Sequence, residues 1–447
     1  MDAIEEYVDR YGTRHERELA DWIAVPSVSA TGEGMVAAAD HARELLVRSG
    51  LAPRVVETGG WPLVTGHLAG PAGSPHVVIY GHYDVQPAGP LEEWLSPPFE
   101  ATIRDGRMYG RGTGDNKGQH LAQLLAVRAL RDCHGGLPCS VTVLLDGEEE
   151  IGSPHLSSTL IGMREELAAD VAVWSDGPVN AAFEPTVALG VRGVVSFEIT
   201  VRGARSALHS GNWGNVAPNP AWELVWLLST MKAPDGRILV DGHDAGTTPL
   251  TGAERAALEA LPVDTDQLLA GVGLDRLDRL EAGVNERLAL PTFSINSLTC
   301  LDNNEHRTVI PAVAVARCDM RLACGQRTAT VIEAVRAHVA RHLPHAEVEF
   351  KAMMEPSRTL PDAPYAQAVL SALGDNALFE PAMGGSLPIA ALTDGLGLPC
   401  FGIPLANVDE RNHAPNENLE LRRFHAGIVT AARVLTGVGR AGRSAHS

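Results

Sequence analysis

The chain has 447 residues, 45% of them hydrophobic and 20% charged, a length that suits two domains better than one core. No apolar run is long enough to span a bilayer, so a membrane span is excluded. A formal net charge of −19 with no basic patch argues against nucleic acid as a partner, because such a chain repels a phosphate backbone.

The first residues, MDAIEEYVDRYGTRHERELADWI, carry acids where a signal peptide needs a basic start, and their apolar residues recur at helical spacing. They predict the first helix of a mature, cytoplasmic protein. Cys133, Cys139, Cys300, Cys318, Cys324 and Cys400 show neither CxxC pairs nor zinc-finger spacing, which predicts free thiols in a reducing compartment.

Helical patterns then alternate with short apolar runs, the pattern of an α/β domain with a mostly parallel sheet. Three runs end in polar clusters: Val77 to Tyr80 before Gly81-His82, Val141 to Leu145 before Asp146-Gly147, and Val171 to Trp174 before Ser175-Asp176. Ligands of open α/β sheets sit beyond the carboxyl ends of strands, and each run delivers an acid or a histidine there. From Val194 the pattern becomes strict alternation, with Val195, Phe197, Ile199 and Val201 on one strand face. A helix at 221–231, strands near 293–298 and 312–322, a helix through Ile332, Val335 and Val339, and a strand near 347–351 complete a βαββαβ, ferredoxin-like order. Residues 232–291 read as an insertion within it. After Glu355 the α/β style returns, with a glycine-rich turn at Gly384-Gly385-Ser386. The expected organisation is a discontinuous catalytic domain, 1–191 and 356–447, holding an inserted α+β domain, 192–355.

Taken singly, the candidate residues have bland readings. His82 and Asp84 share a strand face, so the carboxylate can fix the tautomer of a ligating imidazole, yet a lone HxD is more often structural. Asp115 lies in Gly110-Arg111-Gly112-Thr113-Gly114-Asp115-Asn116-Lys117-Gly118, which lacks the GxxxxGK[ST] order of a phosphate loop. It could simply cap the next helix, whose buried face carries Leu121, Leu124 and Leu125. The three glycines suggest backbone folded tightly around something, as a metal-bridging carboxylate would need. Glu148-Glu149-Glu150 follow a buried strand and would raise one another's pKa unless cations are near. Asp176 ends the next strand, and His413 stands in Arg411-Asn412-His413-Ala414-Pro415-Asn416-Glu417. Together, histidines and carboxylates without thiolates suit a pair of Zn2+ ions with open positions, and also Mn2+ or Co2+.

The stretches GHYDVQPA with Trp94 downstream, GRGTGDNKG, LLDGEEEIGS, WSD, LHSGNWG, RTVIPAVAVARCDMRL, GGSLPI and RNHAPNE resemble, in order, the motifs of the M20 metallopeptidases, in particular the carnosinase-like dipeptidases. The resemblance spans nearly the whole chain. It implies that Asp115 bridges two ions, that His82 and Asp176 complete one position, and that Glu150 and His413 complete the other. Asp84 would orient His82, Glu149 would act as general base on water, and the Asp115-Asn116 peptide bond would be cis. The smaller domain would be a lid and dimerisation domain, its His209 reaching the partner subunit's site of a homodimer to stabilise the oxyanion. Without the family, His209 is a loop histidine. Arg321, Thr308, Gly385 and Ser386 match positions that hold the substrate's carboxylate and neighbouring oxygens; a planar guanidinium suits that carboxylate.

Two departures bear on substrate detail: Arg321-Leu322 continues with Ala323-Cys324 where Val-Pro is frequent, and Asn116 stands where Asp is common. The reaction implied is hydrolysis of a peptide or related amide bond beside a free carboxylate. Two alternatives stand beside it. One is a deacylase or decarbamoylase of N-substituted amino acids, including an amide-hydrolysing role in a small-molecule pathway. The other is a non-catalytic scaffold, which would have been expected to lose ligands or base.

Overall fold

A computed structural model describes residues 2–180, 185–300 and 307–445. The chain forms two compact units, one of Met1–Gly190, Thr251–Pro262 and Arg358–Ser447, the other of Val191–Leu250 and Val263–Ser357.

The larger unit is built on an eight-stranded sheet in the order Ala52–Val56, Leu63–Leu68, Ser140–Asp146, His76–His82, Val171–Trp174, Cys400–Gly402, Thr186–Ala188, Leu378–Glu380. Its centre is parallel, because His76–His82 pairs in parallel with both Ser140–Asp146 and Val171–Trp174, and Cys400–Gly402 continues the same direction. The first two strands are antiparallel and close one edge. The three apolar runs are therefore adjacent central strands, buried because helices cover them. Their carboxyl ends bring His82, Asp146 and Ser175-Asp176 to the same rim, with His82 directly opposite Asp146.

Helix Lys117–His134 is buried around its whole circumference from Lys117 to Leu130. A helix buried all round is central, not superficial. Its polar residues Gln119, His120 and Gln123 are accordingly interior, whereas an amphipathic reading would leave them wet. Helices Asp2–Ile23 and Leu421–Ala445 pack against it, sharing a core that includes Trp22, Leu121, Leu125, Phe424 and Ile428.

The smaller unit carries a four-stranded antiparallel sheet, Thr292–Thr299, Val313–Leu322, Gly193–Arg202, Glu347–Met354 in that order. Helices Pro220–Met231 and Thr328–His342 bury Leu224, Leu228, Val335 and Val339 against Val195, Phe197, Ile199 and Val201, the strand face that alternation picks out. This is the ferredoxin-like arrangement. One stretch of the insertion belongs elsewhere: Thr251–Pro262 packs with the larger unit. Its helix Gly252–Ala260 begins with a Thr251/Glu254 capping box, and Glu254 is buried in an ion pair with Arg358 (Nε to Oε1 2.6 Å). Composition alone, alanine- and leucine-rich, gives no sign of which unit such a helix joins.

Candidate metal centre

Six side chains converge at the carboxyl rim of the central strands. Asp115 lies between two histidines, its Oδ1 3.1 Å from Nε2 of His82 and its Oδ2 2.9 Å from Nε2 of His413. Asp176 Oδ2 approaches the same nitrogen of His82 at 3.3 Å, and Glu150 Oε2 approaches that of His413 at 3.3 Å. Two overlapping donor groups result, His82/Asp115/Asp176 and Asp115/Glu150/His413, each with its donor atoms within 4.8 Å of one another. The sixth, Glu149, is buried beside them.

Each group is held by its own local structure. Nδ1 of His82 lies 3.0 Å from the Asp84 carbonyl, which can only accept, so Nδ1 keeps a proton and Nε2, which faces the carboxylates, is the nitrogen that would ligate once it gives up its own. The Asp84 carboxylate has a second duty that spacing does not reveal. It accepts the backbone N–H groups of Glu149 (3.2 Å) and Glu150 (3.0 Å), fixing the turn that presents both acids. Gln86 then donates to Glu150 from its backbone (3.1 Å) and its amide (2.9 Å). Glu148 turns away from the cluster to His155 (2.7 Å) and the Trp61 N–H (3.2 Å). His413 has φ 56°, in a loop where Arg411 and Asn416 are also left-handed, and the Asn416 side chain ties that loop to Glu93 and Leu95 at 2.8 Å each. The Asp115-Asn116 peptide bond is cis.

The glycine loop before Asp115 is wrapped around a residue that the loop's own sequence does not announce. The Glu417 carboxylate accepts backbone N–H groups from Gly112 (3.1 Å), Gly114 (2.9 Å) and Asp115 (3.0 Å), and it pairs with buried Arg111 at 2.7 Å. What the backbone encloses is thus a second carboxylate, with Asp115 at its margin. Gly112 has φ 94°, and a side chain at Gly114 would collide with the carboxylate of Glu410, itself almost fully buried.

Electrostatics reflect so many acids in one place. Burial raises Glu150 to about 7, the Asp115 charge adding to it; burial and then the Asp115 charge also lift Asp176 above its ordinary value. Burial pushes Glu149 well above the ordinary carboxylate value; His82 opposes this, and Glu150, Asp176 and Asp115 reinforce it. Burial would also raise Asp115, but hydrogen bonds from His413 and His82 outweigh it and hold its carboxyl low. Hydrogen bonds to Asp115 and Glu150 raise His413 to about 11. Without a cation the cluster balances itself by keeping protons on histidines and acids, and a dication is the counter-charge this donor set fits. Imidazole and carboxylate donors without thiolate are those of catalytic zinc, manganese or cobalt sites.

The remaining candidates lie apart in the chain. Gly385 and Ser386 are in a loop of the larger unit. In the smaller unit, exposed His209 pairs across a short two-stranded ladder with Val309, and Ser210 donates to the carbonyl of Thr308 from backbone (2.9 Å) and hydroxyl (3.0 Å), which brings His209 and Thr308 together. Arg321 sits on Val313–Leu322, opposite Val194 and Thr292, with Asp319 at 3.4 Å.

The sequence model of peptidase family M20/M25/M40 matches residues 78–437. The chain belongs to this family. Among M20/M25/M40 relatives, a Cys-Gly metallodipeptidase of Schizosaccharomyces pombe is 27% identical over 457 residues, 96% of each chain. A Beta-Ala-His dipeptidase of Rattus norvegicus is 28% identical, covering 96% of this chain and 93% of its own. An M20 family metallo-carboxypeptidase from Sulfolobus solfataricus superposes with a TM-score of 0.87 at 28% identity, over 95% of this chain and 99% of that one. The protein is a metallopeptidase, and the side-chain cluster at the strand ends is its candidate metal centre. No helix among the described residues is long and apolar enough to cross a membrane.

Proposed function

We propose that the protein hydrolyses dipeptides bearing a free C-terminal carboxylate, using two divalent ions, Zn2+ or else Mn2+ or Co2+. The observation that carries the proposal is the two-sided use of Asp115, one oxygen toward His82 and the other toward His413, as expected of a carboxylate shared by two ions. His82, Asp115 and Asp176 would hold one ion and Asp115, Glu150 and His413 the other. Bound ions supply Lewis-acid polarisation of the scissile carbonyl and a lowered pKa for water. Glu149 takes the proton of the attacking water and returns it to the leaving amine; its raised pKa suits a group that must hold that proton between the two transfers. Asp84 keeps Glu149 in place through the backbone. Arg321, Thr308, Gly385 and Ser386 bind the substrate's carboxylate and adjacent oxygens. The dipeptidase names of the relatives from Schizosaccharomyces pombe and Rattus norvegicus support this substrate class over N-acyl amino acids.

The catalytic domain comprises 1–191 and 356–447, with 251–262 added to it, and the rest is a lid that dimerises. An exposed, stacked Trp222–Trp226 pair on helix Pro220–Met231, centroids 5.8 Å apart, supports an interface on that unit. His209 would act in the partner's site. Six free cysteines support a cytoplasmic setting.

The test is turnover of the ion-free, Zn2+-loaded and Mn2+-loaded protein on a dipeptide library, the same dipeptides amidated at the C-terminus, and N-acetyl amino acids. Metal-dependent cleavage of the unblocked dipeptides, abolished by amidation, is expected. Faster cleavage of N-acetyl amino acids overturns the substrate class, and cleavage that persists after chelation overturns the metal reading.

A further inference from the structure

Behind the ligands lies a buried polar chain that the reaction does not use. The indole Nε1–H of Trp22, on the first helix, meets Nε2 of His120 at 3.0 Å, and Nδ1 of His120 meets Oδ1 of Asn116 at 3.3 Å. An indole N–H can only donate, so His120 Nε2 must accept, which leaves the His120 proton on Nδ1 to be donated to Asn116. That donation fixes the amide of Asn116. Its Oδ1 also accepts the backbone N–H of His82 (3.3 Å), and its Nδ2 donates to the carbonyl of Ser175 (2.6 Å). Trp22, His120 and Asn116 are all buried, so no water can replace a lost partner cheaply.

The three attachment points decide what the chain can control. They are the backbone of His82, the residue following Asp115 and the residue preceding Asp176, which together serve all three donors of one metal position. Glu150 and His413 are tied instead through Asp84, Gln86 and the Asn416 loop. We propose that His120 is a positioning residue chiefly for the His82/Asp115/Asp176 position, acting through the orientation of the Asn116 amide and reaching the other position only through the shared Asp115. The interior imidazole and the Asn at 116 are then one device: an amide can accept from His120 and His82 while donating to Ser175, and a carboxylate would face the Ser175 carbonyl with no proton to give.

This inference rests on the reading of those side chains as metal ligands. Its test is titration of metal into the ion-free protein, followed calorimetrically and by Co2+ absorption, with Asp176→Ala and Glu150→Ala identifying which binding event belongs to which position. His120→Phe should weaken the event lost in Asp176→Ala by roughly 10- to 100-fold, the usual effect of removing a partner of a metal ligand, and weaken the other event, which shares only Asp115 with it, far less. His120→Gln, which can accept from Trp22 and donate to Asn116, should restore it. Trp22→Phe, which keeps the ring and deletes only the donor, should shift it in the same direction as His120→Phe, and decides the matter if that variant does not fold. Equal loss at both positions, or wild-type affinity in both His120→Phe and Trp22→Phe, overturns the proposal while leaving the ligand assignment standing. If Asp176→Ala and Glu150→Ala each leave both events in place, the ligand assignment itself is overturned, and this inference with it.

Discussion

The carboxylate of Glu417 accepts the backbone N–H of Asp115 at 3.0 Å across 302 residues of sequence. The same carboxylate takes N–H groups from Gly112 and Gly114 and neutralises Arg111, so one side chain from the last part of the chain sets the shape of a loop near its first quarter.

Replacing Glu417 with Gln leaves Arg111 buried without its counter-charge and turns an amide N–H2 toward backbone donors. Breaking a buried ion pair from one side costs about 3–5 kcal/mol. Urea unfolding should show a loss of that order, together with weaker metal binding because Asp115 shifts with its loop. Arg128→Ala is the control. It breaks the buried bidentate pair with Glu18 (2.8 and 3.0 Å) on the helical side of the same unit, so it should destabilise comparably while metal affinity stays put. Equal metal loss in both variants would show that Glu417 acts through global stability only.

For Glu149 the expectation separates chemistry from binding. Glu149→Gln keeps the shape and removes the proton acceptor, so turnover should fall by about 10²–10⁴-fold. The metal content, measured on the purified variant, should match the wild type. Near-normal turnover would remove Glu149 from its role.

The central strands and the acids at their ends are legible in the sequence because a buried parallel strand reads as an unbroken apolar run, and the residues at the carboxyl end of such a run line the ligand crevice of an α/β sheet. The ferredoxin-like sheet is legible for the complementary reason: a half-exposed strand alternates. What spacing cannot show is pairing across long sequence separations. Glu148, Glu149 and Glu150 look alike in a row, yet Glu148 faces His155 and the other two hang from Asp84. Glu417 stands inside the same short stretch as His413, but its partner loop is 302 residues away. His120 is hidden for another reason: on a helix with an apolar stripe it reads as a wet residue, and only the all-round burial of Lys117–His134 makes it interior.

Metal affinity should rise with pH. In the ion-free site His413 is raised to about 11 by its hydrogen bonds to Asp115 and Glu150, and burial together with the charge of Asp115 raises Glu150 to about 7. Both groups therefore hold protons near neutrality that a dication must displace, and lowering the pH adds competitor. Calorimetric titration at pH 6, 7 and 8, in buffers of different ionisation enthalpy, should show net proton release on binding and tighter binding at the higher pH. Proton uptake, or affinity independent of pH, would contradict the charge balance described for this site.

His209 offers the sharpest test of a shared site. His209→Ala should lose turnover while metal content and the mass of the proposed dimer remain, because among the described residues the side-chain hydrogen bond of exposed His209 is the one its Nδ1 accepts from the Gly211 N–H, at 3.2 Å, and not one to a metal ligand. Mixing it with Glu149→Gln makes heterodimers in which one site combines an intact Glu149 with the intact His209 of the other subunit, while the second site lacks both. Two inactive preparations should therefore regain activity after dissociation and reassembly, and neither should regain it alone. Recovery requires that His209 works across the dimer; its absence, with heterodimers verified by mass, would place His209 in the site of its own chain or outside the chemistry altogether.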